Sequence, residues 1–282
     1  MKKINDVKVL PIPIKGAGGK KFPGYKIFSD NKYPNIFLLA KKNSGKTSTI
    51  FTIIKQYLEK KYSVKSERNK KVIIFSSTVN KDANWIFITK WLKSKKIEYE
   101  THTSLKEDGV NKLKEFYEQL ESDKSEEDEE VNKRSDKYEH KHFSLIKYDS
   151  ESDSSDSDNK SDKSDRDSKM EYIIIFDDFS IELKDKSVGY FLKRNRHFKS
   201  TVLISSQYFN DLSKDSRLQL DLVLLFQNLP DEKVEEVRSD CDINIPKKTF
   251  LTIYKQVTEE KYNFLYVNCR NGELRKNFNH KL

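Results

Sequence analysis

An apolar run, Ile36-Phe37-Leu38-Leu39, breaks into the polar stretch Ala40-Lys41-Lys42-Asn43-Ser44, and Gly45-Lys46-Thr47-Ser48 then opens a helical pattern. After Gly45 the apolar residues Ile50, Phe51, Ile53, Ile54, Tyr57 and Leu58 recur at three- and four-residue steps, so one helix face can pack against a sheet. Strand, loop and helix in that order is the setting that a phosphate-binding loop of pattern G-x-x-x-x-G-K-[ST] requires. The spacing matches, with Ala40 where the first Gly usually stands. In such a loop the backbone N–H groups surround phosphate oxygens and the helix adds its positive amino end, while Lys46 neutralises β and γ oxygens. Thr47 offers a hydroxyl to Mg2+. The expected nucleotide contacts are therefore Ala40, Asn43, Ser44, Gly45, Lys46, Thr47 and Ser48. Ala40 differs from Gly by one methyl group, which matters only if the position needs positive φ.

The 282 residues suffice for one large α/β domain or two small ones. Hydrophobic residues make up 35% and charged residues 35%, the first below and the second above the globular norm, so part of the chain is expected not to fold. The net charge of +9 is unevenly spread: Glu121 to Met170 holds 17 acidic and 10 basic residues, leaving +16 on the rest. Such an excess suggests a polyanionic partner, nucleic acid before membrane, against the plainer reading of a lysine-rich solvated surface. Cys241 and Cys269 are too few for a disulfide framework, no ligand cluster suggests zinc, and a reducing compartment fits. The amino terminus lacks the apolar core of a signal peptide, and no apolar run approaches the ~20 residues that span a bilayer.

Four segments follow from the composition. Residues 1–32, with Pro11, Pro13, Pro23 and several glycines among lysines, form an irregular basic arm. Residues 33–120 hold the loop, a second buried strand at Lys71–Phe75, a helix over Asp82–Lys93, a weak strand at Ile97–Thr103 and a helix over Val110–Leu120. Residues 121–169 are an acidic Ser/Asp/Glu-rich insertion expected to be disordered, with one short apolar island, Phe143–Tyr148. In residues 170–282 the strand-helix alternation resumes, and Thr249–Tyr254 with Tyr262–Asn268 are expected to form a terminal hairpin or sheet extension. The fold class is α/β.

Two further strand ends carry chemistry. Tyr172-Ile173-Ile174-Ile175-Phe176 runs directly into Asp177 and Asp178. In nucleotide hydrolases a carboxylate at a strand tip holds Mg2+ through water and the next acid polarises the attacking water. Thr201-Val202-Leu203-Ile204 ends in Ser205-Ser206-Gln207, and a Gln there can orient water or sense the γ-phosphate.

Taken together, the Gly-Lys-Thr loop, the Asp177-Asp178 strand, the Arg196-His197 segment, the run Ser205-Ser206-Gln207-Tyr208-Phe209-Asn210-Asp211-Leu212 and Arg217 resemble the FtsK-HerA superfamily of P-loop ATPases. Within it they are most similar to the poxvirus-type DNA-packaging ATPases of large eukaryotic DNA viruses. The match covers about residues 33–120 and 170–280. The resemblance implies a RecA/ASCE-like three-layer sandwich with a mainly parallel sheet, in which the Gln207 strand lies between the loop strand and the Asp177 strand. It also implies ATP and Mg2+ as ligands, Asp177 with Thr47 on the metal, and Asp178 and Gln207 at the reacting phosphate. Further implications are a homo-oligomeric ring around double-stranded DNA bound without sequence preference, and an arginine supplied by the neighbouring subunit, Arg217 first and Arg196 second. Capsid or portal-vertex proteins would be further partners, and the location would be host cytoplasm or virion. A cellular HerA- or helicase-like translocase, and a nucleotide-dependent DNA-binding scaffold with a weak site, share these features.

Overall fold

The computed structural model describes residues 32–58, 69–122 and 170–282. Strand β1 (Asn35–Leu39) is buried along its whole length, as an apolar run in a sheet covered on both faces should be. Helix α1 (Lys46–Leu58) follows the loop and buries Ile50, Ile53, Ile54 and Tyr57, the face that the spacing predicts. Then come β2 (Asn69–Phe75), α2 (Ala83–Ser94) and β3 (Glu98–His102). A two-stranded ribbon of β4 (Lys106–Glu107) and β5 (Val110–Asn111) leads into helix α3, residues 112–122. The chain resumes with β6 (Met170–Asp177), α4 (Lys186–Arg194), β7 (Ser200–Ser206), the single turn α5 (Lys214–Arg217) and β8 (Leu222–Phe226). Helices α6 (Asp231–Asp240) and α7 (Lys247–Val257) precede β9 (Phe264–Asn268), β10 (Leu274–Lys276) and β11 (His280–Lys281).

Among the described residues one nine-stranded sheet runs in the order β11-β10-β9-β8-β1-β7-β6-β2-β3. From β8 to β3 all neighbours are parallel, and β9, β10 and β11 extend the β8 edge antiparallel. Strand β7 therefore lies between the loop strand β1 and the acid-tipped β6, as the resemblance implies. Alternate residues of each strand enter opposite cores. Ile36, Leu38, Ile173 and Ile175 pack with Ile50 and Ile54 of α1 and Trp85 of α2, whereas Phe37, Leu39, Ile174 and Phe176 pack with α3, α4, α6 and α7. Helices on both faces make a three-layer α/β sandwich.

One expectation is overturned. Thr249–Tyr254 is not a strand but the middle of α7, whose buried Phe250, Tyr254 and Val257 recur at four and three residues. The window Thr-Phe-Leu-Thr-Ile-Tyr is rich in strand formers and too short to separate a period of 2 from one of 3.6. Val257 beyond it and Pro246 before it settle the period. The terminal hairpin is instead β9 with β10. Helix α3 also runs through Glu121 and Ser122, where Glu121 accepts hydrogen bonds from Tyr190 Oη (2.9 Å) and Arg194 Nη1 (3.0 Å). The rest of the acidic insertion, its island Phe143–Tyr148 and residues 1–31 of the basic arm lie outside the described residues.

Candidate active site

The carboxyl ends of β1, β7 and β6 lie side by side, and in open α/β sheets ligands bind at that end of the strands. The loop from β1 begins at Ala40, whose N–H donates to Ser206 O of β7 at 3.0 Å. Ala40 is fully buried, its methyl in the core with Ile50 and Ile54, and it has no left-handed backbone. The left-handed residues are Asn43 (φ 60°) and Gly45 (φ 90°), so the turn is made there and Ala40 costs it nothing. Ser44 Oγ donates to Lys41 O at 2.7 Å, bracing the loop from inside. At Gly45 an added Cβ would also stand 3.1 Å from Cδ1 of Tyr262. The tyrosine ring thus covers the glycine at the start of α1. Thr49 closes the first helical turn by donating N–H and Oγ1 to Gly45 O, leaving Lys46, Thr47 and Ser48 at the positive end of a 13-residue helix.

Strand register sets the acids. Asp177 pairs with Ser205, and Ser205 with Leu38, so the acid stands two strands from β1, roughly 10 Å away at ~4.8 Å per strand. Its carboxylate is buried: Oδ2 accepts from Trp85 Nε1 at 2.7 Å and Oδ1 from Ser205 Oγ. Burial pushes the Asp177 carboxyl above the ordinary Asp range, opposed by the Ser205 hydrogen bond, the charge of Lys46 and the Trp85 hydrogen bond. Asp178 leaves the strand in a left-handed conformation (φ 51°), with its N–H on Ser205 O at 3.1 Å. This turn aims its half-exposed carboxylate at Lys46, whose Nζ donates to Asp178 Oδ1. Lys46 thus reaches from the loop, across the end of β7, to the acid beyond Asp177.

Gln207 follows β7 directly and is half-buried beside the loop's origin. Its main-chain oxygen accepts from Lys233 Nζ of α6 at 2.9 Å, and the same ammonium lies 3.7 Å from the Tyr208 ring centroid. Burial and the charge of Lys41 hold Lys233 below the usual lysine range. Trp85, Ser205, Lys233 and Tyr262 had no assigned role from sequence. Ser205 carried a signal, as part of the polar triplet that ends an apolar run, and Tyr262 opened the expected strand Tyr262–Asn268.

The two arginines sit elsewhere. Arg196 precedes β7 and Asp221 precedes β8, both at the amino ends of the strands, and Arg196 Nη2 donates to Asp221 Oδ1 at 2.8 Å. Arg217 is largely buried between Glu236 and Asp240 of α6 and lies 5.1 Å from the Phe209 ring centroid. Neither joins the loop and the acids within this chain.

Among the described residues no group of three or more His, Cys, Asp or Glu could bind a metal unaided. A Mg2+ held by Thr47, phosphate oxygens and waters fits the residues present, because a carboxylate offers about four lone-pair sites and Asp177 uses two on Trp85 and Ser205.

The chain is similar to the genome packaging NTPase B204 from Sulfolobus turreted icosahedral virus 2 in complex with ATP-gammaS, at 13% identity and TM-score 0.44, over 89% of this chain and 99% of that one. It is also similar to the crystal structure of B204, the DNA-packaging ATPase from Sulfolobus Turreted Icosahedral Virus, at 13% identity and TM-score 0.48, over 88% and 98%. No family model matches the sequence, and no curated protein matches it.

Proposed function

We propose that the chain is an ATP-hydrolysing translocase that packages viral double-stranded DNA into a capsid. The observation that carries hydrolysis is the meeting of Lys46, from a glycine-turned loop at a helix amino end, with Asp178, next to the buried Asp177. With ATP present, Lys46 exchanges Asp178 for β and γ oxygens. Asp178, released from that cation, accepts the proton of the attacking water. Asp177, fixed by Trp85 and Ser205, and the Thr47 hydroxyl would hold a Mg2+, the acid through water. Bound Mg2+ supplies charge neutralisation at the phosphate oxygens. Gln207, on the strand between loop and acids, relays phosphate loss to its neighbours, and Lys233 ties it to α6.

The packaging role rests on the Ser205–Leu212 run, the Arg196-His197 segment and the basic excess outside the acidic stretch. Grip on DNA would come from lysines and arginines contacting phosphates, which requires no reading of bases. A ring of identical subunits would bring Arg217 or Arg196 to a neighbour's site, where an arginine in trans is worth ~10³-fold or more in rate. Purified protein is expected to hydrolyse ATP with Mg2+, faster with double-stranded DNA of any sequence, and Lys46→Ala to abolish this. ATP binding without turnover would replace the motor with a nucleotide-dependent scaffold, a reading favoured by the short reach of an aspartate at position 178.

A further inference from the structure

The chain has two cysteines, and the fold brings them into contact across 28 positions of sequence, with Sγ of Cys241 2.7 Å from Sγ of Cys269. Cys241 caps the carboxyl end of α6, where its N–H donates to Val237 O at 2.9 Å. Cys269 follows β9, where its N–H donates to Asp221 O at 2.9 Å. Both are therefore held by backbone bonds on rigid elements, and their side chains converge without a third ligand type that would suggest a metal. Both also line a cavity of about 320 Å³ at the amino ends of β1, β7 and β8, opposite the phosphate loop, with Arg196, Arg217 and Arg270 around it. Cys241 is buried, and Cys269, the less buried of the two, provides the point of attack.

We propose that Cys241 and Cys269 are a reversible disulfide site, oxidised by exchange with a low-molecular-weight disulfide that enters this cavity. The Cys269 thiolate attacks one sulfur of the small disulfide, forming a mixed disulfide and releasing one small thiol after proton uptake. Cys241 then loses its proton, attacks the Cys269 sulfur and displaces the second small thiol. Two protein thiols are oxidised and one small disulfide is reduced to two thiols. The separation of the sulfurs leaves no room for a ligand between them, and closing the bond needs only a small side-chain shift. The Cys241 hydrogen bond, burial and the nearby Asp221 charge push the Cys269 thiol well above its ordinary value. Cys269 is thus held as the thiol at neutral pH, and exchange accelerates as pH rises. The bridge would cross-link α6 to the sheet extension, on the helix whose Glu236 and Asp240 hold Arg217. This site does not depend on the nucleotide reading.

The test incubates the full chain with oxidised glutathione at mildly alkaline pH, then alkylates it under denaturing conditions and measures intact and peptide masses. Expected are loss of both alkylation adducts, a linked Cys241–Cys269 peptide, recovery of both thiols with reduced glutathione, and a Tm raised by about 5–10 °C over the reduced chain. The Tm rise should be absent from Cys269→Ser and from Cys241→Ala. Two thiols that stay fully alkylatable, adducts that stop at the mixed disulfide, or links only between chains would each overturn the proposal.

Discussion

At the residue scale the site turns on two adjacent aspartates, one the last residue of β6 and the other in the left-handed turn that follows, which puts them in opposite environments. Asp177 points into the core with Trp85 and Ser205, while Asp178 turns out toward Lys46. The pairing of an apolar run with two acids made both legible in the sequence. Their division of labour was not, because it depends on Trp85, 92 positions away. Burial raises the folded pKa of Asp177 above its unfolded value, so the ionised form costs stability at neutral pH, and stability is regained as pH falls through the folded pKa. Asp177→Asn keeps an acceptor for Trp85 and gives a donor for Ser205. Thermal unfolding should therefore show the variant more stable than wild type at neutral pH, the gap closing in acid, while Mg2+-dependent turnover falls about 10–100-fold. Asp178→Asn should lower kcat by about 10²–10⁴-fold and also lower KM for ATP, since proton removal from water is lost and Lys46 no longer leaves an ion pair to meet the phosphates. Gly45→Ala should weaken nucleotide binding, measured by calorimetry, because a Cβ at φ 90° is strained and meets the Tyr262 ring.

At the element scale, the strands that bear the site were readable because parallel strands buried on both faces are continuous apolar runs. Helix α7 was not, since Thr249–Tyr254 shows β-branched and aromatic residues in a window shorter than two turns. Packing decides it: Tyr254 Oη accepts from Leu229 N–H at 2.9 Å and donates to Phe226 O at 2.7 Å, fastening α7 to the end of β8 and the start of α6. Tyr254→Phe would leave both backbone groups buried and unpaired, and chemical denaturation should show a loss of about 1–3 kcal/mol. Variants that keep the helix but lose this hydroxyl separate packing from propensity.

At the scale of the whole molecule, the charge outside residues 121–170 is the property most relevant to a polyanion. Affinity for double-stranded DNA, followed by fluorescence anisotropy, should be independent of sequence and fall about 10³-fold or more between 50 and 200 mM salt if at least six phosphates are contacted. Affinity that ignores salt would sink the DNA reading. The sequence by itself determined the α/β class and the places of the Gly45-Lys46 loop, the two acids and Gln207 at strand ends, because each is a local pattern: a buried run, then a polar residue where the strand ends. Tertiary structure alone decided that Lys46 meets Asp178 rather than Asp177, that Ala40 lies in the core outside the turn, that Arg217 and Arg196 face away from their own chain's site, and that Cys241 touches Cys269. Those facts follow from strand order and register, which join residues tens to more than a hundred positions apart and leave no mark on local periodicity.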